Sequence, residues 1–124
     1  MAKGTYVDGF IIPIPKKNTA AYKKMAREAS VVWKKFGALD YKECMLDDEK
    51  PPFVAITFPK MAKTKPGEVV WFSYIVFKSK AHRNTANKKV MAHFAKKYDN
   101  YSTQTMPFDM KRFAYGGFKV IVSA

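Results

Sequence analysis

The chain has 124 residues and a formal net charge of +13, from 23 Lys and Arg against 10 Asp and Glu, and 48% of it is hydrophobic, with ten Phe and seven Tyr. Such a chain is expected to be globular with one core, too short for a second independent domain and too apolar for intrinsic disorder. One cysteine, Cys44, excludes an intramolecular disulfide and a cysteine-rich zinc site and suits the cytoplasm, while residues 1–5 lack the apolar run of a signal peptide and no stretch has the length of a membrane span.

Residues 6–13 are rich in β-branched and aromatic side chains and end at Pro13, which predicts a first strand, with Gly9 marking a bulge or a close approach. Asn18 suits the N-cap of a helix on which Tyr22, Met25, Ala26, Ala29, Val32, Trp33 and Phe36 recur at helical spacing. Lys23, Lys24, Arg27, Glu28, Lys34 and Lys35 fall opposite, and Gly37 stops the helix. Residues 39–46 read as a second strand whose modest apolar content suits an edge or exposed position. Residues 47–67 open on Asp47-Asp48-Glu49, contain Pro51, Pro52, Pro59 and Pro66, and read as an irregular connection long enough to be functional or a cover.

Residues 68–77 are apolar on both faces and predict a central strand. Ser79 can cap a second helix from Lys80 to about Lys97, with Ala86, Val90 and Phe94 as its buried stripe. Arg83 and Asn87 fall on the same arc, where polar side chains need partners. Residues 98–111 read as a loop and 112–122 as a last strand containing Gly116-Gly117. This order predicts an α+β, ferredoxin-like βαββαβ sandwich, a four-stranded antiparallel sheet with both helices on one face. The other face carries aromatic residues and needs a cover, most simply a second copy of the chain. The expected assembly is a homodimer with its sheets face to face around a cleft or barrel interior.

Tyr6-Val7-Asp8-Gly9-Phe10, Gly37-Ala38-Leu39 running to Glu43-Cys44, Ala81-His82-Arg83 with Asn87 and Lys89-Val90-Met91, and Met106-Pro107-Phe108-Asp109-Met110-Lys111-Arg112 ahead of Tyr115-Gly116-Gly117-Phe118 form a specific combination. Together they resemble the YbaA-like family of uncharacterised bacterial proteins, within the dimeric α/β-barrel superfamily. The resemblance implies a ferredoxin-like protomer, dimeric assembly and an undetermined activity. The catalytic sets of related enzyme branches do not map residue by residue onto this chain.

Arg83 and Asn87, one helical turn apart, could offer a cation and an amide to an anionic ligand, and His82 is a candidate general base if a carboxylate orients it. Asp8, Glu43 and Asp109 lie in or beside predicted strands, where an acid in an apolar cleft has a raised pKa and can exchange protons. His82, Asp8 and Asp109 are therefore the catalytic candidates, and Arg83, Asn87, Arg112 and Tyr115 the ligand-binding ones, with an Asp109 to Arg112 pair expected at the cleft mouth. For each acid, and for the His82, Arg83 and Asn87 group, a salt bridge, turn cap or hydrogen-bonded tie is the stronger single-residue reading.

Cys44 is expected to be packed rather than nucleophilic. His82 and His93 stand about three helical turns apart, too far for one metal ion, so no metal is expected. Gly116-Gly117 lies inside a strand rather than ahead of a helix, which does not resemble a phosphate loop, and no cofactor is expected. Trp71, Phe72, Tyr74, Phe113, Tyr115 and Phe118 could stack on RNA bases, but the RNA-recognition sheet pattern is absent and a dimer core is the stronger reading. The leading functional expectation is a small anionic or aromatic molecule in the inter-sheet cleft, with cofactor-independent catalysis open. The alternative is a non-catalytic RNA or DNA binder using its lysine-rich surface, although only Arg27, Arg83 and Arg112 are arginine.

Overall fold

Alternation along two long strands sorts the side chains of the sheet. In the computed structural model, which describes residues 4–97 and 106–124, strand β1 (Tyr6–Pro15) buries Tyr6, Asp8, Ile12 and Ile14 on one side, with Phe10 half-buried between them. Strand β3 (Glu68–Phe77) runs antiparallel to it from Tyr6↔Phe77 to Pro15↔Glu68 and turns Val69, Trp71, Ser73, Ile75 and Phe77 to the same side. Helices α1 (Thr19–Lys35) and α3 (Lys80–Lys97) cover that side. The edges are β2 (Asp40–Met45), beside β3, and β4 (Ala114–Lys119), beside β1, giving the antiparallel order β2-β3-β1-β4. The architecture is the ferredoxin-like α+β sandwich.

The core has two lobes. Ala86, Val90 and Phe94 of α3 meet Val32 and Trp33 of α1 over Tyr6, Ile75 and Phe77. Tyr22 and Ala26 of α1 meet Ile12, Ile14, Val69, Trp71 and Phe108. Each large apolar side chain so buried contributes about 1.5–3 kcal/mol, and these contacts outweigh the weak intrinsic helix preference of the lysine-rich segments. Helix α1 ends at Gly37, whose φ of 106° takes the chain through a left-handed turn.

Several boundaries differ from the sequence expectation. Asn18 does occupy the N-cap position of α1, but its amide donates to the Pro107 carbonyl at 2.9 Å instead of capping, tying the helix start to the approach to β4. Strand β1 continues past Pro13 to Pro15, because β4 ends its pairing at Ile11↔Ala114 and leaves β1 with one neighbour there. The 47–67 connection contains a short helix, α2 (Phe58–Ala62), capped by the Thr57 hydroxyl. The last strand is shorter than residues 112–122, since Met110–Arg112 form a 3-10 turn. Of the expected 98–111 loop, residues 98–105 lie outside the described residues.

Gly9 is a close approach rather than a bulge: the ladder runs through it unbroken, and a Cβ there would stand 3.1 Å from the Phe118 ring. That ring belongs to the open face of the sheet, with Val7, Ile11, Phe72, Tyr74 and Val76. Phe72 is 44% exposed and Phe118 61% exposed. Cys44, opposite Phe72, is exposed on this face; a packed position was expected, but the open side of an edge strand has nothing over it. No helix among the described residues is long and apolar enough to cross a membrane.

Candidate functional site

The alternation that sends Tyr6 and Phe10 inward sends Asp8 inward between them, 2% exposed. Its cross-strand neighbours are Ile75 on β3 and Gly117 on β4. Gly117 must lack a side chain, because the Tyr6 ring and hydroxyl occupy the place a Cβ would take. Over this gap the first turn of α3 delivers Arg83. Its Nη1 donates to Asp8 Oδ1 at 2.7 Å and to the Tyr115 hydroxyl at 2.5 Å, and its Nε donates to Asn84 Oδ1 at 2.8 Å. The guanidinium carbon stands 4.9 Å from the centre of the Tyr6 ring, a cation–π contact, and the Tyr115 ring stacks on Phe10 at 4.9 Å.

Burial pushes the Asp8 carboxyl above its ordinary range, while Arg83 and a hydrogen bond with Tyr115 pull it back. Burial and the Asp8 charge also raise the Tyr115 hydroxyl. Desolvation acts to lower the Arg83 pKa, but Asp8, Tyr115 and Tyr6 together hold it above its usual value, so the guanidinium stays charged. A carboxyl, a guanidinium and a phenol thus converge, and Tyr115, 49% exposed, opens the cluster to solvent. Such a set can hold an anion on the guanidinium while Asp8 takes up the compensating proton.

Three of the expected site residues, Asp8, Arg83 and Tyr115, therefore meet, but on the helix-covered side of the sheet and not on the open face that would line an inter-sheet cleft. Tyr115 pairs with Phe10, so parity puts both on the side of Asp8. The others lie elsewhere. His82 Nδ1 accepts from the Lys78 backbone amide at 3.1 Å, its ring meets Phe77 edge-on, and a Cβ at Gly37 would stand 2.6 Å from its Nε2. It wedges the start of α3 against the end of α1. Asn87 is exposed on the flank of α3, just past the stripe Ala86, Val90 and Phe94. Asp109 caps the 3-10 turn, accepting from Lys111 N at 2.9 Å. Arg112 grips both carboxylate oxygens of Glu68, at 2.6 and 2.8 Å, and the Lys63 carbonyl, so it clamps the 47–67 connection rather than pairing with the Asp109 carboxylate.

A second carboxylate, the half-buried Glu43, is more fully built than its sequence context indicates. Tyr22 donates to its Oε1 and Tyr41 to its Oε2, both at 2.7 Å, and the Ser73 hydroxyl, opposite in the register, also bonds it. Burial raises the Glu43 pKa and these three donors counter it; both tyrosines are raised by burial and by Glu43 itself. Sequence reading placed Tyr22 in an apolar stripe and passed over Tyr41. The usable signal was the i, i+2 spacing of Tyr41 and Glu43, which puts both on one face of β2. Among the described residues no group of three or more His, Cys, Asp or Glu is placed to hold a metal ion.

Residues 5–110 match the family model described as a protein of unknown function, DUF1428. The chain is 39% identical to the uncharacterized protein YbaA of Escherichia coli K12 over 117 residues, which are 94% of this chain and 97% of that protein, and equally similar to YbaA of Shigella flexneri. Among solved structures it is similar to a dimeric ferredoxin-like protein from an uncultured marine organism, with a TM-score of 0.61 at 10% identity over 97% of this chain and 99% of that one. That likeness concerns the fold.

Proposed function

The chain belongs to the DUF1428 family of proteins of unknown function, and we propose that it acts as a homodimer, joined through its open sheet faces, in which each protomer binds a small anionic molecule at Asp8, Arg83 and Tyr115. The observation that carries this reading is the 2.7 Å pair between Asp8 and Arg83, whose side chains are 2% and 13% exposed. A buried ion pair adds little stability over apolar residues of the same shape, so one kept beside a half-exposed tyrosine points to use. The flat Phe10–Tyr115 stack beside it favours a ligand with an aromatic body. The exposed Phe72 and Phe118 support the dimer, and the lone, unbridged Cys44 supports a cytoplasmic setting.

A second reading has its own observation. Because both helices cover one side, the exposed lysines Lys23, Lys24, Lys35, Lys88, Lys89 and Lys96 gather on that side, as a nucleic-acid binder would require. Native mass spectrometry of gently purified protein separates the two. A dimer carrying one discrete small mass, lost in Arg83→Ala while the dimer persists, supports the anion site. A ligand-free monomer refutes it, and heterogeneous nucleic-acid adducts that vanish with added salt favour the second reading.

A further inference from the structure

A groove of about 350 Å³ runs between α1 and the edge strand β2, away from the Asp8 cluster. Lys23 and Arg27, one turn apart on α1, form one wall, and Tyr41, Glu43, Met45 and Trp71 contribute to the other. Trp71 is 6% exposed, and its indole N–H has no hydrogen-bond partner among the described residues. Buried donors are almost always satisfied, so an orphan in the lining of a groove calls for an acceptor from outside. The β2–β3 register sets Met45 opposite Trp71 and Glu43 opposite Ser73, which makes Trp71 and Glu43 diagonal neighbours on the helix side. The Glu43 carboxylate already accepts from Tyr22, Tyr41 and Ser73, which leaves one of its about four lone-pair sites for a further donor.

A donor without an acceptor beside an acceptor with spare capacity matches a hydroxyl, the smallest group that does both from one atom. The volume is at the low end of ligand sites and suits a single ring. The two cations at the rim suit an acidic substituent. We propose that this groove binds a small phenol carrying an acidic group: its oxygen accepts from Trp71 Nε1, its O–H donates to Glu43, and its anion meets Lys23 and Arg27. Met45, opposite Trp71 in the register, 54% exposed and unbranched, has the freedom to yield to an entering ring.

The test is a titration of the ¹⁵N-labelled full chain with 4-hydroxybenzoate, read at the two indole N–H signals, Trp33 and Trp71, which Trp71→Phe assigns. The Trp71 signal moves saturably while Trp33, in the other lobe of the core, stays still. Benzoate, lacking the hydroxyl, binds about tenfold or more weaker, as does the probe to the Lys23→Ala/Arg27→Ala variant, whose surface changes leave the spectrum otherwise intact. Arg83→Ala leaves the titration unchanged, which separates this site from the Asp8 cluster. The absence of a saturable Trp71 shift at millimolar probe, equal affinity for benzoate, or loss of binding in Arg83→Ala overturns the assignment.

Discussion

Replacing Arg83 by Met keeps an unbranched alkyl stem but removes the guanidinium that stands over the Tyr6 ring, leaving the Asp8 carboxylate, 2% exposed, without its cation. Breaking a buried pair in this way costs about 3–5 kcal/mol. Here the loss has a ceiling, because Asp8 can escape by taking a proton. Each unit between the solution pH and the ordinary carboxyl pKa of about 3.9 corresponds to about 1.4 kcal/mol, which caps the charge cost at about 4 kcal/mol at pH 7 and about 1.5 kcal/mol at pH 5. Urea denaturation at fixed protein concentration should therefore find Arg83→Met destabilised by about 3–4 kcal/mol at pH 7, with the deficit shrinking by half or more at pH 5. Adding Asp8→Asn to Arg83→Met should recover most of the loss at pH 7. A deficit of equal size at both pH values, or a double variant no more stable than the single one, would show that Asp8 is not the charge Arg83 compensates.

The Glu43 network gives a pH dependence of definite sign. Burial raises the folded-state pKa of Glu43, so its contribution to stability is present below the ordinary carboxyl range and lost as pH rises through the raised value; in Glu43→Gln that fall should flatten, as thermal melts across the window would register. Tyr22→Phe deletes one donor to this carboxylate and should cost about 1.5–3 kcal/mol at neutral pH, read by chemical denaturation. Gly117→Ala drives a methyl into the Tyr6 ring and should destabilise by about 1–3 kcal/mol, with Arg83 displaced in the same variant as seen by loss of its Nε–H shift. Phe118→Asp, which in the proposed dimer falls on both sides of the two-fold interface, should weaken dimerisation by at least about a hundredfold in sedimentation equilibrium while the circular dichroism spectrum is retained.

The long elements were legible because their patterns are redundant. Helix α1 carries six apolar positions on one stripe, with Phe36 continuing it at the C-cap, and β3 is apolar on both faces, so an error at one residue changes neither. The ends were less so. Arg112 reads as the start of a strand by its neighbours Phe113 and Tyr115, yet it belongs to a 3-10 turn whose partner, Glu68, lies 44 residues away and leaves no local trace. Helix α2 did announce itself, through Thr57 at an N-cap and Pro59 in the first turn, inside a segment whose four prolines argued for irregularity.

The candidate site was half legible for the same reason. Asp8, Arg83 and Tyr115 stood out as polar groups in apolar settings, but which side of the sheet they share depends on parity relative to Tyr6 and Phe10. An acid flanked at i±2 by aromatic residues already pointed to the helix side. The Glu43 network needed three elements at once, with Tyr22 from α1, Tyr41 from β2 and Ser73 from β3, and only the register joins them.

The two prolines near the end of β1 bear on how copies of this chain avoid one another. Lys16 N bonds to Gly67 O on the β3 side, so alternation turns positions 13 and 15 toward the side that β4 does not pair, where Pro13 is fully buried and Pro15 half-buried. An amide donor at the buried position 13 would lack a partner, and one at the half-buried position 15 would offer a bond to a strand from another molecule. Pro13 and Pro15 have no donors to offer, which leaves nothing unpaired at the buried position and nothing for an incoming strand at the other.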